Sequence, residues 1–177
     1  MVNSENILLI AGSGRNVGKT SYICNLLKKH EAKKPIAVKI SPHFHKTTEG
    51  LRLISETNHY QLFEETNRET AKDSSLYLQH GAARSFYLQA DDEQLADAFL
   101  SLMPFLEADK PILIESAALH KYIQAGLFLY IYNEESADKP FTKTNLQVAD
   151  FVVQSNGSSF SHSPSSLKFE QTWKINP

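Results

Sequence analysis

An apolar run, Ile7-Leu8-Leu9-Ile10-Ala11, leads directly into Gly12-Ser13-Gly14-Arg15-Asn16-Val17-Gly18-Lys19-Thr20, and a helical pattern begins at Lys19. A continuous apolar run that ends in glycines reads as a strand buried on both faces, as in a parallel sheet. Strand, glycine-rich loop and helix start, in that order, form a cradle for phosphate. Glycines let successive N–H groups turn inward, and the helix N-terminus adds donors and the positive end of its dipole. Lys19 is then placed to reach β- and γ-phosphates and to act in catalysis. The Thr20 hydroxyl becomes a ligand for Mg²⁺, a hard cation that needs few protein ligands. The expected nucleotide-binding set is Gly12, Ser13, Gly14, Arg15, Asn16, Val17, Gly18, Lys19, Thr20 and Ser21. The spacing departs from the usual one: Ser13 stands where a glycine is expected, and counting from Gly12 makes the loop one residue longer. A glycine-rich turn that binds nothing is the plainer alternative, but Gly-Lys-Thr at a helix start behind a buried strand seldom arises by chance.

Beyond the loop, strands alternate with helices. The helix from Lys19 reaches about His30, with Ile23, Leu26, Leu27 and His30 on one side. A second strand runs from Pro35 to Ile40; proline can only start it. Residues 41–70 are polar and without a clean period, and read as a long irregular insertion, with a short strand possible around Tyr60 and Leu62. A helix is expected over 71–81, a strand over 85–88, and a helix with Leu95, Ala98, Phe99 and Leu102 on one face. Strands are expected at 111–115, 127–132 and 151–153. Residues 155–166 are Ser-rich and read as loop, while Leu167, Phe169, Gln171, Trp173 and Ile175 alternate as an edge strand would. The pattern predicts one α/β domain over residues 1–177, with a mostly parallel sheet.

Composition narrows the function. Of 177 residues, 41% are hydrophobic, enough for a real core. Eighteen basic against 20 acidic residues leave a formal charge of −2, which argues against nucleic-acid or membrane-surface binding by bulk charge. Cys24 is the only cysteine, so an internal disulfide and a cysteine-rich zinc site are excluded, and a buried, inert thiol is expected. A reducing, cytoplasmic setting follows as the expectation, with no signal peptide or membrane span read from the N-terminus.

Five further residues carry chemistry. Glu115 ends a buried strand, where a carboxylate can orient water or contact Mg²⁺; a solvated strand-end Glu is the alternative. Lys39 ends another strand and can meet a phosphate or a second anion. His43 and His45 share one face if extended, and read as an anion contact, a metal pair or plain loop histidines. Asp73 lies in Lys72-Asp73-Ser74 at a helix start, where it can cap the helix.

The phosphate loop, Val38-Lys39-Ile40 with His43 and His45, Lys72-Asp73-Ser74, Gly81-Ala82 and Ile114-Glu115-Ser116 follow one another over most of the chain. In this they resemble the molybdopterin-guanine dinucleotide biosynthesis protein B (MobB) family of P-loop NTPases. The chain departs from that pattern at Ser41, where the family has its first His, at Ala71 instead of Gly, and at Ser116 instead of Gly. The resemblance implies a three-layer P-loop NTPase domain that binds GTP or ATP with Mg²⁺ and turns it over slowly. It implies a role beside a cofactor-assembly enzyme in molybdenum cofactor biosynthesis, and a homodimer. It also implies a second ligand, molybdopterin-type or another anionic small molecule, at Lys39, His43, His45 and Asp73, and metal contact by Thr20 and Glu115. The loop spacing from Gly12 to Thr20, Lys39 and Glu115-Ser116-Ala117 also resemble dethiobiotin synthetase, which implies an ATP-dependent ligase instead. A nucleotide-binding scaffold without turnover is the non-enzymatic alternative.

Overall fold

The computed structural model describes residues 2–136 and 142–176. In chain order the elements are β1 (Val2–Gly12), α1 (Lys19–Lys29), β2 (Ile36–Ser41), β3 (Leu51–Glu56), β4 (Tyr60–Glu65), α2 (Asp73–Gln79) and β5 (Arg84–Ala90). They continue with α3 (Leu95–Leu102), β6 (Ile112–Glu115), β7 (Ile123–Tyr132), α4 (Thr142–Val148), β8 (Phe151–Gln154), β9 (Leu167–Phe169) and β10 (Trp173–Ile175). Among the described residues the main sheet has eight strands in the order β3-β4-β5-β2-β6-β1-β7-β8. From β5 to β8 every pairing is parallel; β4 and β3 add an antiparallel edge.

The apolar run of β1 sits centrally and is buried on both faces, as its lack of alternation requires. Leu8 and Ile10 pack with Tyr22, Ile23, Leu26 and Leu27 of α1 and with Tyr77 and Leu78 of α2. Ile7, Leu9 and Ala11 pack on the other side with Leu95, Ala98, Phe99 and Leu102 of α3. Helices on both faces of a mostly parallel sheet make three layers. Each fully buried aliphatic side chain contributes about 1.5–3 kcal/mol. No helix among the described residues is long and apolar enough to cross a membrane.

Two segments differ from the sequence reading. Residues 41–70, read as irregular, contain the β3–β4 hairpin, which extends the sheet past β5. β3 is the outermost strand and is at most half-buried along its length, so its sequence carries no apolar alternation to read. Leu62 and Phe63 are buried within this chain, and Tyr60 packs on the same core. Residues 167–175 are a separate antiparallel hairpin, not one edge strand. The chain reverses between Glu170 and Thr172, and Phe169 pairs with Trp173 four residues on. An even offset keeps the period-2 pattern in phase across the turn, so two short strands read as one.

Candidate active site

The phosphate loop leaves the C-terminal end of β1 and curls back on itself. A Cβ on Gly12 would meet Val17 Cγ2 at 2.9 Å and both Ile131 O and Lys19 Cδ at 3.0 Å. Gly18 caps α1 with φ +94°, a left-handed conformation that side chains resist, and the Phe160 ring lies where its Cβ would point. Ser13, in the place of the expected glycine, has a structural reason to be there. It is fully buried; its N–H donates to Ile131 O at 3.0 Å, its hydroxyl lies 2.6 Å from that of Ser136, and it accepts from the Asn133 N–H at 3.0 Å. The loop is thus stapled to the end of β7. Lys19 Nζ arches over the loop and donates to Gly14 O at 2.6 Å. Arg15, Asn16 and Ser21 are exposed, while Val17 is buried.

The parallel pairing of β2, β6 and β1 brings three strand ends to one sheet edge, where ligands of such sheets bind. Lys39 and Glu115 are register partners on β2 and β6, and Lys39 Nζ lies 2.6 Å from Glu115 Oε1. The same ammonium lies 2.9 Å from Asp73 Oδ2, and Thr20 Oγ1 donates to Asp73 Oδ1 at 2.9 Å. Lys19 Nζ is 3.9 Å from Glu115 Oε1. Tyr77, one helical turn beyond Asp73, donates its hydroxyl to Glu115 Oε2 at 2.7 Å. Burial works to lower the pKa of Lys39, but Glu115 and Asp73 outweigh it and hold the ammonium above its ordinary value. Burial likewise pushes the Asp73 carboxyl up, and the charge and hydrogen bond of Lys39 with the Thr20 hydroxyl bring it below its ordinary range. Burial and then the two carboxylates push the Tyr77 phenol far up, so it stays a donor. Burial, Asp73 and Glu115 push the Cys24 thiol up to about 12, which removes it as a nucleophile.

The oxygen donors around Thr20 suit Mg²⁺. A hydroxyl and one or two carboxylates, completed by phosphate oxygens and water, are what that ion takes. No group of three or more His, Cys, Asp or Glu side chains that could hold a metal occurs among the described residues, so the metal-pair reading of His43 and His45 finds no third ligand. Both histidines are exposed, with ring centroids 6.3 Å apart. His45 borders a cavity of about 250 Å³ whose walls include Lys39, Lys46, Asp73 and Tyr87, and its N–H donates to Gln89 Oε1 at 2.5 Å. On the other flank of the loop, a more open pocket of about 500 Å³ lies between the ends of β7 and β8, bordered by Asn133, Glu134, Gln154, Asn156 and Phe160.

Sequence reasoning missed Tyr77, Asn133, Ser136 and Phe160. Only Tyr77 carried a signal: its spacing from Asp73 puts both on one helix face.

No family model matches the sequence, and no curated protein matches it. Among solved structures, the "apo" form of LpxK from Aquifex aeolicus in complex with ATP is similar at 14% sequence identity and a TM-score of 0.49, covering 85% of this chain and 48% of that one. The chain therefore spans about half the length of that protein. A buried central strand, a glycine-rich loop, a helix opening on Lys-Thr and a mostly parallel three-layer sheet give the chain a P-loop NTPase-type fold.

Proposed function

We propose that the chain binds a purine nucleoside triphosphate, GTP or ATP, with Mg²⁺ in the loop of residues 12–20, and hydrolyses it slowly. The observation that carries this reading is the convergence of Lys19, Thr20, Lys39, Asp73 and Glu115 at one sheet edge. Loop amides take the phosphate oxygens, and Lys19 exchanges Gly14 O for the β- and γ-phosphates. Thr20, with Asp73 and Glu115 beside it, holds Mg²⁺, which supplies charge neutralisation to the phosphates. That supply matters, because two lysines and two carboxylates leave the cluster without net charge of its own. Glu115, fixed by Lys39 and Tyr77, orients the attacking water. Phosphoryl transfer is accelerated by positioned positive charge. Lys39 is already committed to Glu115 and Asp73, and Arg15 is exposed, so Lys19 is left as the lysine on the phosphates, which favours slow turnover. The base lies toward the pocket between the ends of β7 and β8, next to Asn156 and Phe160.

A MobB-like role in molybdenum cofactor biosynthesis, in the cytoplasm and as a homodimer, fits this chemistry. The open edge of β3, with Leu53 exposed, is the surface on which two copies would pair. An ATP-dependent ligase of the dethiobiotin synthetase type is the second reading, favoured by the cavity that shares Lys39 and Asp73 with the cluster. The test is calorimetry with Mg·ATP and Mg·GTP on the wild type and Lys19→Ala. The variant should lose most of the nucleotide affinity and keep its thermal midpoint; unchanged affinity would sink the reading.

A further inference from the structure

We infer that Ser13, Asn133 and Ser136 are positioning residues that hold one wall of the pocket between the ends of β7 and β8 in register with the phosphate loop, so that the two ends of one nucleotide are gripped together. The inference rests on the nucleotide reading and deepens it: these residues keep the place for the base and the place for the phosphates at a fixed spacing.

The three residues close a ring of hydrogen bonds. The Asn133 N–H donates to Ser13 Oγ at 3.0 Å, Ser13 Oγ lies 2.6 Å from Ser136 Oγ, and the Ser136 hydroxyl donates to Asn133 O at 2.6 Å. The proton order follows. The Ser136 proton is taken by the carbonyl, so the proton between the two hydroxyls is that of Ser13. Each hydroxyl then donates once and accepts once. Ser13 is fully buried, so opening the ring there strands a polar group away from water. The turn that carries Ser136 is stiff in itself. The Ser136 N–H donates to Asn133 O at 3.1 Å, and the Glu135 N–H donates to Asn133 Oδ1 at 2.9 Å.

This turn touches the loop on one side and the pocket on the other. A Cβ on Gly14 would lie 2.9 Å from Ser136 Cβ, so turn and loop meet at the glycine whose carbonyl takes Lys19 Nζ. Asn133, Glu134 and Glu135 border the pocket of about 500 Å³. The opposite wall has its own reference to the loop. There Phe160 lies against Gly18 and meets Tyr22 of α1 edge-on, with ring centroids 4.9 Å apart. The Ser13 N–H, bonded to Ile131 O, fixes the end of β7. The ring carries that attachment one step further, to the turn itself.

A nucleotide fills both places with one molecule. Its nucleoside adds to the affinity of its phosphates only as far as the two places are held at the spacing the ligand needs. A spacing set in advance also removes an ordering cost on binding. With the ring open, the pocket wall is free to shift relative to the loop, and the nucleoside adds less.

The test uses the full chain with Mg²⁺ and whichever of ATP and GTP the wild type binds more tightly. The comparison ligand is inorganic tripolyphosphate, which fills the loop and leaves the pocket empty. Calorimetry gives the nucleotide affinity, and competition with the nucleotide gives that of tripolyphosphate. Their ratio measures what the nucleoside adds. Ser136→Ala removes one corner of the ring at a half-buried position and leaves Ser13 a poor acceptor, Asn133 O at 3.4 Å. The ratio should fall by about fivefold or more, the worth of one hydrogen bond. Ser13→Ala removes a second corner. Ser13→Ala/Ser136→Ala should lose no more nucleotide affinity than the weaker-binding single variant, because a ring already open has nothing further to lose. Thermal unfolding of each variant reads the fold separately. An unchanged ratio in Ser136→Ala, with both affinities lowered alike, assigns the residue to the loop alone and overturns the inference. Additive losses in the double variant overturn it as well. A wild type that binds neither nucleotide defeats the nucleotide reading and the inference with it, whereas a bound nucleotide with an unchanged ratio leaves that reading standing.

Discussion

Lys39→Met takes the cation from between two carboxylates and keeps the length and apolar stem of the side chain. Glu115 bears the cost. It is 4% exposed, loses its contact at 2.6 Å, and keeps the Tyr77 hydroxyl at 2.7 Å and Lys19 Nζ at 3.9 Å. Stripping one partner from a buried ion pair costs about 3–5 kcal/mol. Two features pull the figure to the lower end. Lys19 is near enough to close on Glu115, and Asp73 keeps the Thr20 hydroxyl and a side chain that is 33% exposed. The expected loss is therefore about 3 kcal/mol. A domain of this size loses about 2–4 °C per kcal/mol, so the thermal midpoint should fall by about 6–12 °C. Calorimetry on metal-free protein at neutral pH reads it. Adding Glu115→Gln to the variant should return about 1 kcal/mol or more, because the stranded charge is then gone. The pH dependence has a definite sign. The Asp73 carboxyl is held below its ordinary value of 3.8, so its contribution is complete above that value and is lost as pH falls through the lower folded one. The gap between wild type and Lys39→Met should accordingly narrow in acid. A midpoint loss below about 3 °C, which corresponds to no more than about 1.5 kcal/mol, would refute the reasoning. So would a double variant no more stable than the single one.

Two other predictions concern the C-terminal hairpin and the assembly. His30 Nδ1 lies 3.0 Å from Leu26 O and its Nε2 accepts from the Phe169 N–H at 3.3 Å, which requires the neutral ring; burial lowers its pKa below 6.5. Stability from this contact is present above pH 6.5 and lost below it as the unfolded chain takes up the proton, so urea unfolding of His30→Leu should show a weaker dependence on pH below 6.5 than the wild type, with a cost of about 1–3 kcal/mol at pH 7.5 for the stranded polar groups. Sedimentation at tens of micromolar should give a dimer that Leu53→Lys disperses; a wild-type monomer of 19.9 kDa would refute pairing through β3.

The phosphate loop was legible because all its parts are contiguous: the strand, the glycines and Lys19-Thr20 stand in one stretch and act through local backbone geometry. The cluster around Glu115 was legible only by position in the chain. Lys39 and Glu115 are 76 residues apart, and they meet because β6 inserts between β1 and β2, a choice of strand order that no local pattern encodes. Asp73 has two readings, as helix cap or as ligand contact; no side-chain cap bond forms at that helix start, and both carboxylate oxygens turn to Lys39 and Thr20. Tyr77 reads as a core aromatic, and it is one by burial. Its hydroxyl makes it more than that, and only the location of Glu115 reveals this. Ser13 is the instructive departure. A motif counts it as a missing glycine, yet its hydroxyl ties the loop to Asn133 and Ser136 at the end of β7. A glycine there would offer the loop more freedom and lose that tether. The deviation from the motif and the attachment of the loop to its neighbouring strand are thus the same physical fact, and only the first of them is written in the local sequence.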